Sequence, residues 1–449
     1  MKKISVVSLG CAKNQVHSEH MMALLQDHHF ELTDQYDEAE VIVINTCGFI
    51  NSAKEESINT ILELAQYKET GKLETLVAVG CLVQKYADEL AQELPEIDLL
   101  LGTNDYDRIA DILQDYEAGD RQRVVQTAQK WDAESPEVPE RVITSPGHYA
   151  YLRIAEGCDN RCTYCVIPEM QGPYRSRPLE SILAETRQLT AAGYSELILV
   201  AQDTTYYGKD LYGHFALADL LQQLAQIEEL KWIRILYAYP NNFDDHLIDT
   251  IAREDKVCKY LDIPLQHADD QILRRMNRQI TQQEMRALIT TLRERIPNIT
   301  LRSTFIVGFP GETEEQYQTL LDFLADVQLD CVGAFPYSQE EGTPAGRMTE
   351  QLEDEVKEQR AIELMDQQFE IMYDKHQEMI GTTRIVKVDE LSPDVEGLLL
   401  CRSQGEAPDV DPLILVYNDW THQPGDFLEV KITGLDEYDF IGEIIHELA

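Results

Sequence analysis

The chain has 449 residues, 43% of them apolar, with 38 Lys and Arg against 81 Asp and Glu and a formal net charge of −43. That length exceeds one ordinary domain and predicts about two to four, each with its own core. The charge excludes a protein that wraps a phosphate backbone over its whole surface and points to neutral or basic partners. No run of about 18 apolar residues is present, which excludes a membrane-spanning helix. With no secretion signal over residues 1–10, the nine cysteines predict a cytoplasmic protein with metal-bound thiolates, not a disulfide framework.

In chain order, the apolar runs at residues 4–9, 41–45, 76–79 and 97–101 read as strands, with amphipathic helical stretches such as 19–28 and 54–67 between them. Buried strands alternating with helices predict a parallel sheet covered on both faces. Three of these strands run straight into a cysteine, at Gly10-Cys11, Thr46-Cys47 and Gly80-Cys81. All strand C-termini of a parallel sheet share one edge, where ligands bind. Cys11, Cys47 and Cys81 are thereby predicted to meet at one crevice and to hold an iron–sulfur cluster with one iron open. Three separately packed core cysteines are the alternative.

Residues 116–148 form a connector rich in Pro and charge, including Glu134-Ser135-Pro136-Glu137 and Ser145-Pro146-Gly147. Beyond it, six strand-then-helix units (strands near 151–156, 196–201, 232–237, 260–263, 300–307 and 331–335) predict a partial (β/α)6 barrel, whose chemistry gathers at the strand C-termini. After the first of those strands comes Gly157-Cys158-Asp159-Asn160-Arg161-Cys162-Thr163-Tyr164-Cys165. Three thiolates this close bend round a single object. Structural zinc sites are closed by four ligands, commonly as paired C-x2-C. Cys158, Cys162 and Cys165 lack a nearby fourth, which suits an iron–sulfur cube with one open iron. A three-cysteine zinc site, or unrelated buried thiols, is the alternative. Val307-Gly308-Phe309-Pro310-Gly311-Glu312 predicts a tight turn after the fifth strand, open to a close ligand.

A long helix over 352–379 leads into five short strands near 383–388, 397–401, 413–416, 427–433 and 439–445, which predict a small antiparallel β-barrel. Residues 378–449 carry 16 Asp and Glu against 4 Lys and Arg. A nucleic-acid platform is basic and displays aromatics; this one fits a basic protein surface, or a charged face that binds nothing.

Over nearly its whole length the chain resembles the radical S-adenosylmethionine methylthiotransferase family. Gly10-Cys11-Ala12-Lys13-Asn14, Asn45-Thr46-Cys47 and Val79-Gly80-Cys81 resemble its N-terminal cluster domain. Gly157-Cys158 through Cys165-Val166-Ile167-Pro168 resembles its radical loop, and Arg175-Ser176-Arg177-Pro178 and Gly308-Phe309-Pro310-Gly311-Glu312-Thr313 also match. Arg402-Ser403 with Ala407-Pro408-Asp409-Val410-Asp411 resembles its C-terminal TRAM domain, although Pro412-Leu413 stands where the family usually has a glycine. The resemblance implies an N-terminal α/β cluster domain (1–115), a linker (116–148), a radical barrel (149–375) and a TRAM barrel (376–449). One branch of the family modifies an adenosine of transfer RNA. Residues 154–162 and 302–308 are more similar to the other branch (RimO type), which modifies an aspartate of small-subunit ribosomal protein twelve.

The resemblance implies two [4Fe-4S] clusters and S-adenosylmethionine as cofactors. The cluster at Cys158, Cys162 and Cys165 cleaves S-adenosylmethionine to a 5′-deoxyadenosyl radical, which takes a hydrogen from the aspartate β-carbon. The cluster at Cys11, Cys47 and Cys81 presents the sulfur, and a second S-adenosylmethionine supplies the methyl group. This requires the two open irons to face one another. Cofactor contacts are expected from Tyr164 inside the loop, Gln202 and Asp203 after the second strand, Gln266 after the fourth, with His267 beside it, and Arg302, whose fork suits a carboxylate. No catalytic side chain beyond the cluster ligands is expected. Cys258, Cys331 and Cys401 read as core residues. Implied partners are a basic ribosomal protein, a reducing electron donor such as flavodoxin and a sulfur donor, with neither nucleic acid nor membrane. The competing readings are a transfer-RNA adenosine methylthiotransferase and a two-cluster electron carrier or redox sensor.

Overall fold

The computed structural model describes residues 1–127, 141–146, 148–417 and 421–448; the Pro-containing stretch at 134–140 lies outside them. The chain forms two compact units. The first comprises residues 1–144, 153–181 and 338–346, and the second 145–152, 182–337 and 347–449.

The first unit holds a six-stranded sheet of β1 (Lys3–Ser8), β2 (Glu31–Leu32), β3 (Val41–Thr46), β4 (Thr75–Gly80), β5 (Leu99–Leu101) and β6 (Val124–Gln126), in the order β2-β1-β3-β4-β5-β6. All neighbouring pairs are parallel. The central strands β3 and β4 are buried at every position because both faces of the sheet are covered. Val41, Val43, Val77 and Val79 pack on α1 (Ala12–Asp27) through Met21 and Leu25. Ile42, Ile44, Leu76 and Ala78 pack on α2 (Asn51–Ala65) and α3 (Cys81–Glu93) through Ile61, Leu64, Leu82 and Val83. The period of two splits each strand between the two cores. Strand β6 falls inside the expected connector; its three residues are too few for a periodic signal.

The second unit contains the expected partial barrel. Its strands are β7 (Tyr149–Arg153), β8 (Glu196–Val200), β9 (Trp232–Ile235), β10 (Val257–Asp262), β11 (Thr300–Val307) and β12 (Cys331–Pro336), laid side by side in chain order. From β8 to β12 each runs parallel to the next. The helices Gln282–Arg295 and Glu314–Val327 both begin with a capping box, Thr281 with Glu284 and Thr313 with Gln316, so their starts are fixed locally.

A closed barrel follows, built of β13 (Thr383–Leu391), β14 (Leu398–Ser403), β15 (Ile414–Tyr417), β16 (Phe427–Asp436) and β17 (Asp439–Leu448). The expectation of a wholly antiparallel barrel is corrected: β15 and β17 pair in parallel. Five is odd, so strand directions cannot alternate all the way round a closed ring.

A buried charge cluster ties this barrel to the parallel sheet. Glu196 of β8 accepts from Arg234 Nε (3.0 Å), Arg402 Nη2 (2.9 Å) and Lys387 Nζ (2.9 Å). Burial pushes the Glu196 carboxyl up, but these three cations hold it well below the usual carboxylate range. The segment Ala407–Asp411 is anchored too. Asp411 accepts from Tyr260 Oη (2.6 Å) and Ala407 N (2.9 Å), and Asp409 from Tyr151 Oη (3.3 Å). The following Leu413 N donates to Asp439 Oδ1 (2.7 Å), so Pro412-Leu413 sits in a held turn. Cys258 and Cys401 are buried, as expected of core residues.

Candidate functional site

Strand order places β1 between β2 and β3, and the helices that follow β1 and β3 cover opposite faces of the sheet. The crevice at such a reversal is where open α/β sheets bind ligands. Cys11 follows β1, Cys47 follows β3 and Cys81 follows β4. Cys11 is the N-cap of α1, and Cys81 is the first residue of α3, positions whose dipoles favour thiolates.

Asparagines pin the ends of these strands. Asn14 Nδ2 donates to Leu9 O (2.8 Å) and Thr46 O (3.3 Å), while Asn45 Nδ2 donates to Asn14 O (2.9 Å) and Ser18 Oγ (3.0 Å). Ser57 brackets Cys47, accepting from its N–H (3.1 Å) and donating to its carbonyl (3.0 Å). Gly10 has φ +91°, and a Cβ there would lie 2.7 Å from Cys47 Cβ and 2.9 Å from its Sγ. The first turn and the second thiol therefore touch.

The electrostatics bind the trio together. Burial pushes the Cys81 thiol up to about 12, and Cys11 and Cys47 add to the shift; burial also raises Cys47, with Cys11 again contributing. Burial and mutual repulsion therefore oppose ionisation of Cys47 and Cys81 together. Bound iron would supply positive charge that favours the thiolates, so the donor set fits a thiolate-bound cluster. Among the described residues no three His, Cys, Asp or Glu are grouped as for a single metal ion; a cube spreads its thiolates over separate irons.

The second triplet belongs to the same unit. A two-stranded ribbon, Ala155–Glu156 against Arg175–Ser176, frames its loop. Gly157 has φ +70°, and a Cβ there would overlap the Pro173 carbonyl. Cys158 N donates to Gly172 O (3.1 Å), Cys165 N to Cys162 O (3.2 Å), and Ala345 N to Thr163 O (2.9 Å). Cys158 is buried, while Cys162 and Cys165 are half-buried. Behind the loop, Glu156 accepts from Arg175 Nη2 (3.0 Å) and lies 2.7 Å from His17 Nε2 on α1. The His17 ring stacks on Tyr106 (centroids 4.3 Å apart), a residue whose ionisation is resisted first by burial and then by Cys81.

The two triplets meet through a short helix, α4 (Ile167–Gln171). Val166 and Met170 pack on Cys81, and Gln171 Nε2 donates to Cys81 Sγ (3.2 Å). Sequence reasoning assigned no role to Asn45 or Glu156, which entered only within longer motifs, and did not single out Tyr106 or Gln171. Asn45, two residues before Cys47, carried the one readable signal: a polar residue ending an apolar strand.

The other expected cofactor residues divide. Tyr164 lies half-buried in the turn of the loop. In the second unit, Gln202 Oε1 is buried with no hydrogen-bond partner among the described residues, which fits a donor from a bound molecule. Asp203 accepts from Thr205 Oγ1 (2.6 Å) and Tyr206 N (3.2 Å). Gln266 stands at φ +74°, bridged to β11 by Gln266 N to Thr304 O (2.9 Å). Arg302 is engaged by Asp262 (3.1 Å) and Asp411 (3.4 Å). His267 accepts from Asp269 N at Nδ1 (2.9 Å) and turns Nε2 to Glu312 (3.2 Å). Glu312 also accepts from Gly308 N (3.0 Å) and Arg360 (2.6 Å). The glycine turn is thus folded on its own carboxylate, and what approaches Gly308 and Gly311 is Lys357 and Arg275.

Comparison with known proteins agrees along the chain. Residues 3–102 match the uncharacterized protein family UPF0004, 152–324 the radical SAM superfamily and 380–445 the TRAM domain. The ribosomal protein uS12 methylthiotransferase RimO of Heliobacterium modesticaldum is 50% identical over 446 residues, spanning 99% of this chain and 95% of that one. Its counterpart in Geobacter sulfurreducens is 48% identical over 444 residues, 99% of each. Among solved structures, the radical S-adenosylmethionine methyltransferase TsrM of Kitasatospora setae, with cobalamin and a [4Fe-4S] cluster bound, superposes with TM-score 0.57 at 15% identity over 77% of each chain, a likeness of fold. Identity near one half, sustained from end to end and joined to two cysteine triplets in a single unit, makes this chain a member of the RimO family of ribosomal protein uS12 methylthiotransferases.

Proposed function

We propose that the protein adds a methylthio group to the β-carbon of an aspartate in ribosomal protein uS12, using two [4Fe-4S] clusters and S-adenosylmethionine. The observation that carries this reading is the convergence of Cys11, Cys47 and Cys81 with Cys158, Cys162 and Cys165 in one compact unit. When bound, these groups supply the homolytic C–H cleavage and the sulfur that no side chain can provide. The protein's own part is holding and orienting. The asparagine pins fix the N-terminal thiols, the Ala345–Thr163 bond and the ribbon fix the loop, and the buried carbonyl of Gln202 offers an acceptor to the cofactor's amino group. Tyr164, Asp203, Gln266 and Arg302 complete the proposed cofactor contacts, Arg302 while paired to Asp262 and Asp411.

The terminal barrel receives the substrate in this reading. Its 16 acidic against 4 basic residues suit a basic ribosomal protein and repel RNA phosphates, which favours this branch over the transfer-RNA one. A reducing donor such as flavodoxin and a sulfur donor complete the cycle. The proposed location is the cytoplasm, where ribosomes are; no helix among the described residues is long and apolar enough to cross a membrane. The test is mass spectrometry of uS12 from cells with and without the gene. A methylthio mass gain on one aspartate, present only with the gene, is expected; its absence with transfer-RNA modification lost instead would overturn the substrate assignment.

A further inference from the structure

Cys81 accepts a side-chain hydrogen bond from the other triplet's side: Gln171 Nε2 to Cys81 Sγ at 3.2 Å. Gln171 ends α4, six residues after Cys165, and is buried. Its backbone is held on both sides. Arg175 Nη1 donates to Gln171 O (3.0 Å), and Thr103 Oγ1 donates to Met170 O (2.8 Å). Val166 and Met170 of the same segment pack against Cys81. A metal-bound thiolate only accepts hydrogen bonds, so the amide N–H is the group that faces it. Hydrogen bonds to the sulfurs of a cluster raise its reduction potential, because they stabilise the more negative, reduced form.

We propose that Gln171 is a positioning residue for the N-terminal cluster: its amide, carried by the helix that follows the radical loop, holds Cys81 in register with that loop and sets the reduction potential of the cluster Cys81 ligates. The inference rests on the two-cluster reading above. It predicts that a side chain belonging to one cluster's loop controls the properties of the other cluster, and not of its own.

The experiment uses the full-length protein, reconstituted anaerobically, as wild type, Gln171→Leu (same reach, no donor) and Gln171→Glu (same reach, a negative charge facing the sulfur). Redox titration with dithionite, followed by electron paramagnetic resonance, reads each cluster separately: the N-terminal cluster in a Cys158→Ala/Cys162→Ala/Cys165→Ala background and the radical-loop cluster in a Cys11→Ala/Cys47→Ala/Cys81→Ala background. The N-terminal cluster's midpoint is expected to shift to more negative potential in Gln171→Leu and further in Gln171→Glu, with the other midpoint unmoved. Iron loss to a chelator should quicken by about 10–100-fold for the N-terminal cluster alone. Loss of only that cluster in a variant whose metal-free form melts as wild type does supports the proposal as well. Unchanged midpoints and release rates in Gln171→Leu overturn it, as do equal changes in both clusters or loss of both with a lowered melting temperature, which mark a merely structural role. Wild-type protein that holds only about four irons would instead sink the two-cluster reading, so the two failures are distinguishable.

Discussion

The two cysteine triplets reach similar ends by opposite means. Cys158, Cys162 and Cys165 are neighbours in the chain, held by a two-stranded ribbon and a turn. Cys11, Cys47 and Cys81 are 36 and 34 positions apart and meet only because three parallel strands end together. Closing loops about ten times longer costs on the order of 2 kcal/mol more each in chain entropy, so the N-terminal site is a product of the folded sheet, whereas the radical loop is nearly formed by its own spacing. One site inherits the cooperativity of a domain, and the other is local.

The sharpest break is to remove one thiol from each triplet. Cys158→Ala should cut 5′-deoxyadenosine formation by more than about a hundredfold, beyond what loss of an outer partner costs. Cys81→Ala should leave that product while abolishing methylthio transfer; chromatography with mass detection reads both. Next come the two glycines. Gly157→Ala forces a Cβ onto the Pro173 carbonyl at φ +70°, and Gly10→Ala drives one into Cys47. Each should cost about 1–3 kcal/mol of stability, seen in thermal unfolding, with iron lost chiefly from the triplet beside the change. Asn45→Ala leaves the buried Asn14 carbonyl and Ser18 hydroxyl without their donor and should cost about 1–3 kcal/mol, loosening the N-terminal cluster and sparing the radical loop.

The smallest effect is a pH dependence confined to the folded sheet unit. His20 on α1 is buried beside Arg153, Arg141 and Arg177; burial first, then those cations, lower its pKa to about 2. Unfolded, it binds a proton below about pH 6.5. The unfolded chain therefore holds more protons between about pH 6.5 and 2, and stability falls as pH drops through that window. His20→Gln removes this contribution. In urea titrations the wild type should lose about 1.3 kcal/mol more than the variant between pH 7 and 5.5; equal losses would show that His20 is protonated in the fold.

Much of this was legible because it is periodic or local. Apolar strands ending in cysteine announced the N-terminal crevice, and a nine-residue spacing announced the loop. The rest depends on contacts between distant segments, which no local pattern encodes. Gln171 reads as an ordinary helix residue until α4 is laid against α3, and Glu156 as a strand residue until His17 meets it. The chemistry of Arg302 suits a carboxylate clamp, and the fold gives it two carboxylates of its own, Asp262 and Asp411. The glycine turn at 308–311 looked like room for a ligand, but a glycine's space is visible only once its neighbours are known, and here they are Lys357 and Arg275. The parallel pair in the terminal barrel follows from counting strands and needed only the closure to be seen.

The cysteine-bearing unit is completed by residues 338–346, where Lys54 Nζ meets Glu340 (2.6 Å) and Ala345 secures the loop. A nascent chain therefore exposes all six thiols long before the last piece of their housing leaves the ribosome, on the order of ten seconds or more at ordinary elongation rates. On the proposed two-cluster reading, metallation that needs the finished unit would be a late event in biosynthesis, with an interval of vulnerability to oxygen set by the order of the gene.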